Sequence, residues 1–223
     1  MSATTLAIVL AAHIAVLGYW LGSELVINST FRYVSYSSEM PLGERTRLLD
    51  HLMNVDQHVR YALVLQVALG TMLALAYGFF PGPSWLIGAT AIAGLLWLAF
   101  VELVHRLRKK PAGKVLARID RGSRYVLLLA LLALAAGLVG GAWPLPDWLR
   151  WKLGALAGAV ACGVGIRLSL VRYFRHWQQL LDEGPTSALN AALRRGYRQA
   201  TGILIGLWVF LAIIAGLSIL KPA

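Results

Sequence analysis

The sequence predicts an all-α integral membrane protein: a bundle of six transmembrane helices with the N-terminus and the C-terminus outside. Hydrophobic residues make up 58% of the chain and charged residues only 14%, against about 25% charged in soluble domains. Apolar runs recur along the whole chain, and each can cross the ~30 Å hydrocarbon layer. Since no stretch remains for a soluble domain, residues 1–223 are expected to form a single membrane domain.

The first apolar run lacks a basic leading segment and is longer than the core of a signal peptide, so it is interpreted as a span. A Pro-Gly-Pro-Ser turn at 81–84 separates the second and third runs. The predicted spans are approximately 4–27, 60–80, 84–105, 125–143, 148–174 and 202–220.

The net charge of +11 is distributed by membrane side. Most lysines and arginines follow the first, third and fifth spans, which predicts that those loops are cytoplasmic. The expected location is a bacterial-type inner membrane. This pattern, with attraction to anionic lipid, explains the basic excess without nucleic acid. The opposite side holds only Arg150, Lys152 and Lys221.

The segment that precedes the second span has an apolar face at helical spacing. It is expected to form an amphipathic helix that lies along the membrane surface and runs into the span. Its polar side carries Glu44, Arg47, His51 and His58. Thr186 or Ser187 is expected to cap a short helix after Pro185.

Small residues are concentrated in two later segments, "LAAGLVGGA" in the fourth span and "GALAGAVACGVG" in the fifth. They are typical of surfaces where membrane helices pack closely. Gly18 and Gly22 form a GxxxG pair that permits a homodimer without requiring one.

Two ionisable residues lie within the first span. His13 and Glu24 are eleven residues apart, or three turns plus about 20°, so they share one helix face with Trp20 nearby. Because charge in lipid is costly, this face is expected to look into the bundle.

Three polar residues are expected at one depth near the cytoplasmic side. Counting 1.5 Å per residue puts Glu24, Glu102 and Arg167 roughly 9–13 Å from the span centres. Arg167 bridging the two carboxylates would satisfy their charges. The alternatives are a functional polar chamber, or structural ion pairs with side chains that reach the headgroups.

His13 lies near mid-depth, and no second histidine shares its level. Met72 in the second span lies at the same depth as His13 to within about one helical turn, and Cys162 is also near mid-depth. A His/Met pair is allowed for haem, and a His/Met/Cys set suits Cu(I). The alternative is a neutral histidine that bonds to another helix. The sequence contains no P-loop, HExxH, CxxC or nucleophile elbow.

Three segments resemble the HemJ-type protoporphyrinogen oxidases and the CopD copper-resistance membrane domain, and the resemblance covers spans one, two, five and six. The opening helix is similar in its His-hydrophobic-Trp-x-Gly pattern, and the fifth span in its Trp-Leu-x-x-Lys-Leu start. The segments are "AAHIAVLGYWLGSELVINSTFRYVSY", "DWLRWKLGALAGAVACGVGIRLSLVRYFR" and "GYRQATGILIGLWVFLAIIAGLSILKP". Where the HemJ fifth-span counterpart carries a histidine, this chain has Cys162-Gly163-Val164-Gly165.

The resemblance implies a four-helix core that binds haem b, with His13 as ligand and Lys152 as a basic substrate-binding residue. If the protein is an enzyme, it would transfer electrons or hydrogen from a hydrophobic donor such as a porphyrin to a quinone. Glu24 would then handle protons, and Arg167 or Lys152 would bind a substrate carboxylate. The alternatives are a small-ion or metal (copper) transporter, in which intramembrane carboxylates mark the path, and a structural subunit.

Overall fold

Six α-helices build the structure, a computed structural model that describes residues 1–108 and 110–221. The described chain contains no β-strand. The helices are α1 (Ala3–Tyr36), α2 (Leu42–Ala76), α3 (Trp85–Leu107), α4 (Pro111–Ala135), α5 (Asp147–Glu183) and α6 (Ser187–Leu220).

The helices form a closed ring in sequence order. Each helix packs on the one before it and the one after it, and α1 also packs on α6. Contacts near the connections between helices distinguish the two ends of the ring. At one end, Arg194 near the start of α6 donates to Ser38 in the α1–α2 connection, at 3.3 Å; we call this the basic end. Phe80 and Trp143, from the α2–α3 and α4–α5 connections, meet at the neutral end.

Five of the six helices are long and apolar enough to cross a membrane: α1, α2, α3, α5 and α6. This confirms the predicted helical membrane bundle in its main features. Many large apolar side chains also face outward; Ile92, Leu95 and Leu96 on α3 are 61%, 66% and 67% exposed. Such a surface suits lipid rather than water.

The predicted fourth span, 125–143, is only partly helical. Helix α4 ends at Ala135, and Gly137 and Gly140 follow with positive φ angles of 71° and 69°. These angles suit glycine and end the helix. The small residues expected to pack helices here instead form turns. The helical apolar part is therefore shorter than predicted, and α4 is not among the five apolar spans.

The small residues of α5 pack closely, as predicted. Ala157 and Ala159 are fully buried. A Cβ at Gly158 would lie 2.5 Å from the Phe210 ring of α6. Gly158 is therefore needed for the close approach of α5 and α6.

Four helices continue past the bilayer at the basic end. Helices α1, α2, α5 and α6 have 34 to 37 residues, about 50–55 Å, whereas a bilayer core needs ~30 Å. Their ends bury Val34, Leu49, Tyr173, Trp177 and Leu193 together. We call this part the basic-end bundle.

The segment predicted to lie along the membrane surface belongs to this bundle. Residues 42–58 are the first part of the continuous helix α2, and Leu49 and Leu52 pack into the cluster. The apolar face was predicted, but it is covered by helices rather than lipid. The polar side is exposed as expected. Helix α6 is likewise one long helix, whose first turn is capped by Thr186.

Candidate functional site

A cavity of about 90 Å³ lies inside the ring toward the neutral end; we call it the neutral-end cavity. Its walls are mostly apolar, and its polar side chains come from α1, α2 and α5: His13, Trp20, Gln66, Thr71 and Lys152. A cavity of this size, with polar groups on part of its wall, has room for several water molecules.

His13 is one of three buried polar side chains on this cavity, with Trp20 and Gln66. It is 9% exposed, and its Nε2 lies 3.5 Å from Gln66 Nε2. Its Nδ1 is buried without a hydrogen-bond partner in the described chain. A Cβ on Gly70 would lie 3.2 Å from the His13 ring. The ring therefore rests against the bare backbone of α2, and one of its nitrogens has no hydrogen-bond partner in the described chain.

Glu24 lies one helical turn beyond Trp20, which lines the cavity. It is 7% exposed and accepts a 3.4 Å hydrogen bond from Trp20 Nε1. Within the described ranges, no lysine, arginine or histidine forms an ion pair with it. Asp56 and Arg167 are close enough to act on it electrostatically. The predicted shared face of His13, Trp20 and Glu24 is confirmed.

Beyond Glu24 lies an ion-pair cluster that joins α2, α4 and α5. Asp56 accepts from Arg60 at 3.2 Å and from Arg167 at 3.3 Å. Asp120 accepts from Arg124 at 3.0 Å and lies 3.7 Å from Arg60. Two carboxylates and three guanidinium groups thus share one site.

The charge of Asp56 is held by this cluster. Burial alone would raise the pKa of its carboxyl, but the three arginines outweigh burial and keep the pKa below its usual value. Asp56 therefore keeps its charge below the ordinary carboxyl pKa of about 3.9, and its pairs with Arg60 and Arg167 are lost only as pH falls through the lowered pKa.

The predicted partners of Arg167 were wrong. Arg167 pairs with Asp56, whereas Glu102 accepts from the Tyr61 hydroxyl and pairs with Arg106. Glu102 is one-third exposed and lies outside the cluster. Asp56 was missed because it lies in the segment assigned to the membrane surface, and its ion-pair partner on α5 is 111 residues away.

The proposed metal donors do not converge. Met72 does not line the cavity; the residues of α2 that do are Gln66, Val67, Gly70, Thr71 and Ala74. At 100° per residue, Met72 points to another face. Cys162 faces α6, since a Cβ on Gly206 would lie 3.6 Å from its sulfur. No group of three or more His, Cys, Asp or Glu side chains suited to a metal ion occurs in the described chain.

The residues meet only part of the requirement of a haem. His13 offers one imidazole nitrogen, and Lys152 on the same cavity offers a cation for a propionate. However, a cavity of about 90 Å³ is smaller than the ~150 Å³ that holds a single benzene ring. A porphyrin macrocycle does not fit the bundle as packed.

Both glycines of the GxxxG pair are exposed in the part of the chain that the structure describes. A Cβ at Gly18 or Gly22 would meet no atom within 4 Å. This surface of α1 therefore faces lipid.

Comparison with known proteins identifies no relative. No family model, curated protein or solved structure matches the chain.

Proposed function

We propose that this chain moves protons across the membrane along the inward face of α1. One observation carries the proposal. Of the two carboxyl side chains buried in the described chain, Asp120 is paired with arginine, whereas Glu24 is bonded only to an indole N–H. Intramembrane carboxyl groups mark ion paths and proton relays, and a carboxyl without a fixed cation beside it can bind and release a proton.

The arrangement around Glu24 supports a path with two halves. Water in the neutral-end cavity would reach the floor formed by Trp20, beside His13 and Lys152. Glu24 would take up the proton behind Trp20 and release it toward the ion-pair cluster at the basic end. His13, which lines the same cavity, would exchange protons with its water.

A proton fits this path better than a metal cation does. The polar walls of the cavity carry Lys152 and His13 and no carboxylate in the described chain, and a fixed ammonium repels cations. The soft donors Met72 and Cys162 face elsewhere. Proton transfer needs only water and exchangeable groups.

The membrane setting follows from the charge pattern. All six helices would cross a bacterial-type inner membrane, with the basic end cytoplasmic and both termini outside. The lipid bilayer is the main partner, and a homodimer would use the lipid-facing Gly18–Gly22 surface.

The test is proton flux into liposomes that enclose a pH-sensitive dye, driven by a potassium diffusion potential. Wild-type protein is expected to conduct protons. Glu24→Gln is expected to conduct them at least tenfold more slowly while it keeps its helical circular dichroism. The matched control is Glu44→Gln, an exposed carboxylate on α2, which should conduct normally. Equal flux in wild type and Glu24→Gln would disprove the path.

A second candidate is the haem-dependent redox function of the HemJ/CopD resemblance, with a quinone as acceptor. It is favoured by one observation: His13 and Lys152, the two residues to which the resemblance gives roles, lie 139 positions apart and line the same cavity. The size of the cavity speaks against it. A reduced-minus-oxidised spectrum of wild type and His13→Ala decides: a b-type band that His13→Ala loses supports haem, and no band in haem-replete cells rejects it.

A further inference from the structure

A second cavity lies at the basic end, separate from the proposed proton path. It is a groove of about 480 Å³ between α1 and α6, within the ~300–1,000 Å³ of small-ligand sites. We call it the α1–α6 groove. Its main walls are formed by Leu25, Asn28, Arg32, Tyr33, Tyr36 and Tyr197.

The groove straddles the edge of the hydrocarbon layer. Leu25 belongs to the predicted first span, and Tyr36 lies eleven residues later, about 17 Å along the helix. Tyr33 and Tyr36 are 56% and 43% exposed, and tyrosine is enriched at the depth of lipid headgroups. A ligand in the groove would therefore meet lipid at one end and water at the other.

The polar groups of the groove are mostly donors. Arg32 supplies an exposed guanidinium. Asn28 Oδ1 already accepts from the Thr201 hydroxyl at 3.0 Å, so its NH₂ group is left for a ligand. Arg194 lies over the Tyr36 ring at 5.6 Å and adds a second positive charge at the water-facing end.

These donors favour an anion. No carboxylate is among the lining residues of the groove in the described chain. Arginine with neighbouring hydroxyl and amide donors matches the oxygens of a phosphate. The apolar end at Leu25 suits the acyl chains attached to such a headgroup.

We propose that the α1–α6 groove binds the phosphate headgroup of an anionic membrane lipid. Arg32 pairs with the phosphate, the tyrosine hydroxyls and Asn28 donate to it, and the acyl chains leave past Leu25 into the bilayer. A soluble phosphate has the same headgroup chemistry but would leave the apolar end uncovered.

The experiment is native mass spectrometry of the full chain in detergent, titrated with phosphatidylglycerol and, for reference, with zwitterionic phosphatidylcholine. Arg32→Gln is expected to weaken phosphatidylglycerol binding about fivefold, and Arg32→Lys to weaken it less. Arg118→Gln, which removes an exposed arginine from α4 at the same end, is the control and should bind as wild type. Because Arg32 is exposed, its loss should leave the fold intact.

Each other outcome overturns the proposal. If Arg32→Gln binds phosphatidylglycerol as well as wild type, or if Arg118→Gln weakens it equally, the lipid is held by the general basic charge. If excess inorganic phosphate displaces the lipid from the Arg32-dependent site, the ligand is a soluble phosphate and the lipid assignment is wrong.

Discussion

Gly70 is the residue that brings α1 and α2 close enough to confine His13. A side chain at this position meets the imidazole ring at 3.2 Å, which is tight for a methyl group and too short for a branched one. The position of His13 in the cavity therefore depends on the absence of a side chain on the neighbouring helix.

Gly70→Val is expected to destabilise the protein by about 1–3 kcal/mol, because the added methyl groups overpack the His13 ring. The same variant should lower proton flux by displacing that ring. Unfolding in mixed SDS micelles, followed by circular dichroism, measures the first effect and the liposome assay the second. Gly18→Val is the control, since a Cβ there meets nothing within 4 Å. Normal stability in Gly70→Val would show that His13 is not confined.

Arg45 secures the basic-end bundle. It is 1% exposed, and it donates to the Val34 carbonyl and to Asn190 Oδ1, each at 3.1 Å. Its guanidinium also lies 5.3 Å from the centre of the Trp177 ring. Burial lowers its pKa from the usual value. One side chain thus ties α2 to α1, α5 and α6.

Arg45→Met is expected to cost about 2–4 kcal/mol, because two buried acceptors lose hydrogen bonds from a charged donor. Arg45→Lys should lose less, since one ammonium can reach one acceptor. Arg47→Met, two residues away and exposed, should change stability by under about 0.5 kcal/mol. The SDS titration ranks the three; equal stability of Arg45→Met and Arg47→Met would contradict the role of Arg45.

Residues on one helix were the predictable part of the candidate site. Helical geometry alone relates His13, Trp20 and Glu24, and burial follows from the cost of charge in lipid. The partners across helices were not predictable. Depth matching assumed that each span is centred in the bilayer, and it paired Arg167 with Glu102 rather than Asp56.

At the scale of elements, α4 is attached to the ring differently from the others. Its N-terminal half is strongly basic, and its apolar half ends at Ala135. It packs mainly on α5, and its buried Asp120 is bridged to α2 through Arg60. Ion pairs therefore help to hold α4 in place, whereas a purely apolar span is held by packing alone.

Asp120→Asn is expected to destabilise the protein by about 3–5 kcal/mol, since Arg60 and Arg124 each lose a partner in a mostly buried site. Hydrogen exchange should increase in α4 more than in α1 or α6. Mass spectrometry of exchanged peptides measures both. Asp182→Asn, at the exposed end of α5, is the control. Uniform exchange across the helices would mean that Asp120 does not anchor α4.

The number of helices was predictable because each long hydrophobic run predicts one helix. The end of the fourth span and the position of residues 42–58 were not predictable. The apolar run near 135–143 reads as a span, yet its glycines turn the chain. Residues 42–58 read as a surface helix because periodicity reveals an apolar face without revealing what covers it. In both cases the structure is determined by tertiary contacts or by backbone angles, and the hydropathy of the sequence contains information on neither.

For the whole molecule, orientation is the property on which the proposed direction of proton transfer depends. In the proposed orientation, the charge pattern would place the basic end in the cytoplasm. The neutral-end cavity would then be filled from outside the cell, and Glu24 would release protons inward.

In a Cys162→Ala background, Ser84→Cys and Leu138→Cys are expected to react with a membrane-impermeant maleimide in intact cells. Glu39→Cys should react only after permeabilisation. All three positions lie in connections between helices, and labelling is read by gel shift. Labelling of Glu39→Cys alone in intact cells would reverse the topology. Protection of Leu138→Cys alone would show that α4 does not cross.

The closed ring also constrains how the chain is made. Most neighbouring helices are consecutive in the sequence, so the bilayer can receive the hairpins α1–α2, α3–α4 and α5–α6 one after another during synthesis. The α1–α6 contact must wait for the last helix. Leu211 and Ile214 of α6 complete the cavity wall beside His13. A nascent chain halted before α6 would therefore lack this wall, and the cavity beside His13 would be open to lipid on that side.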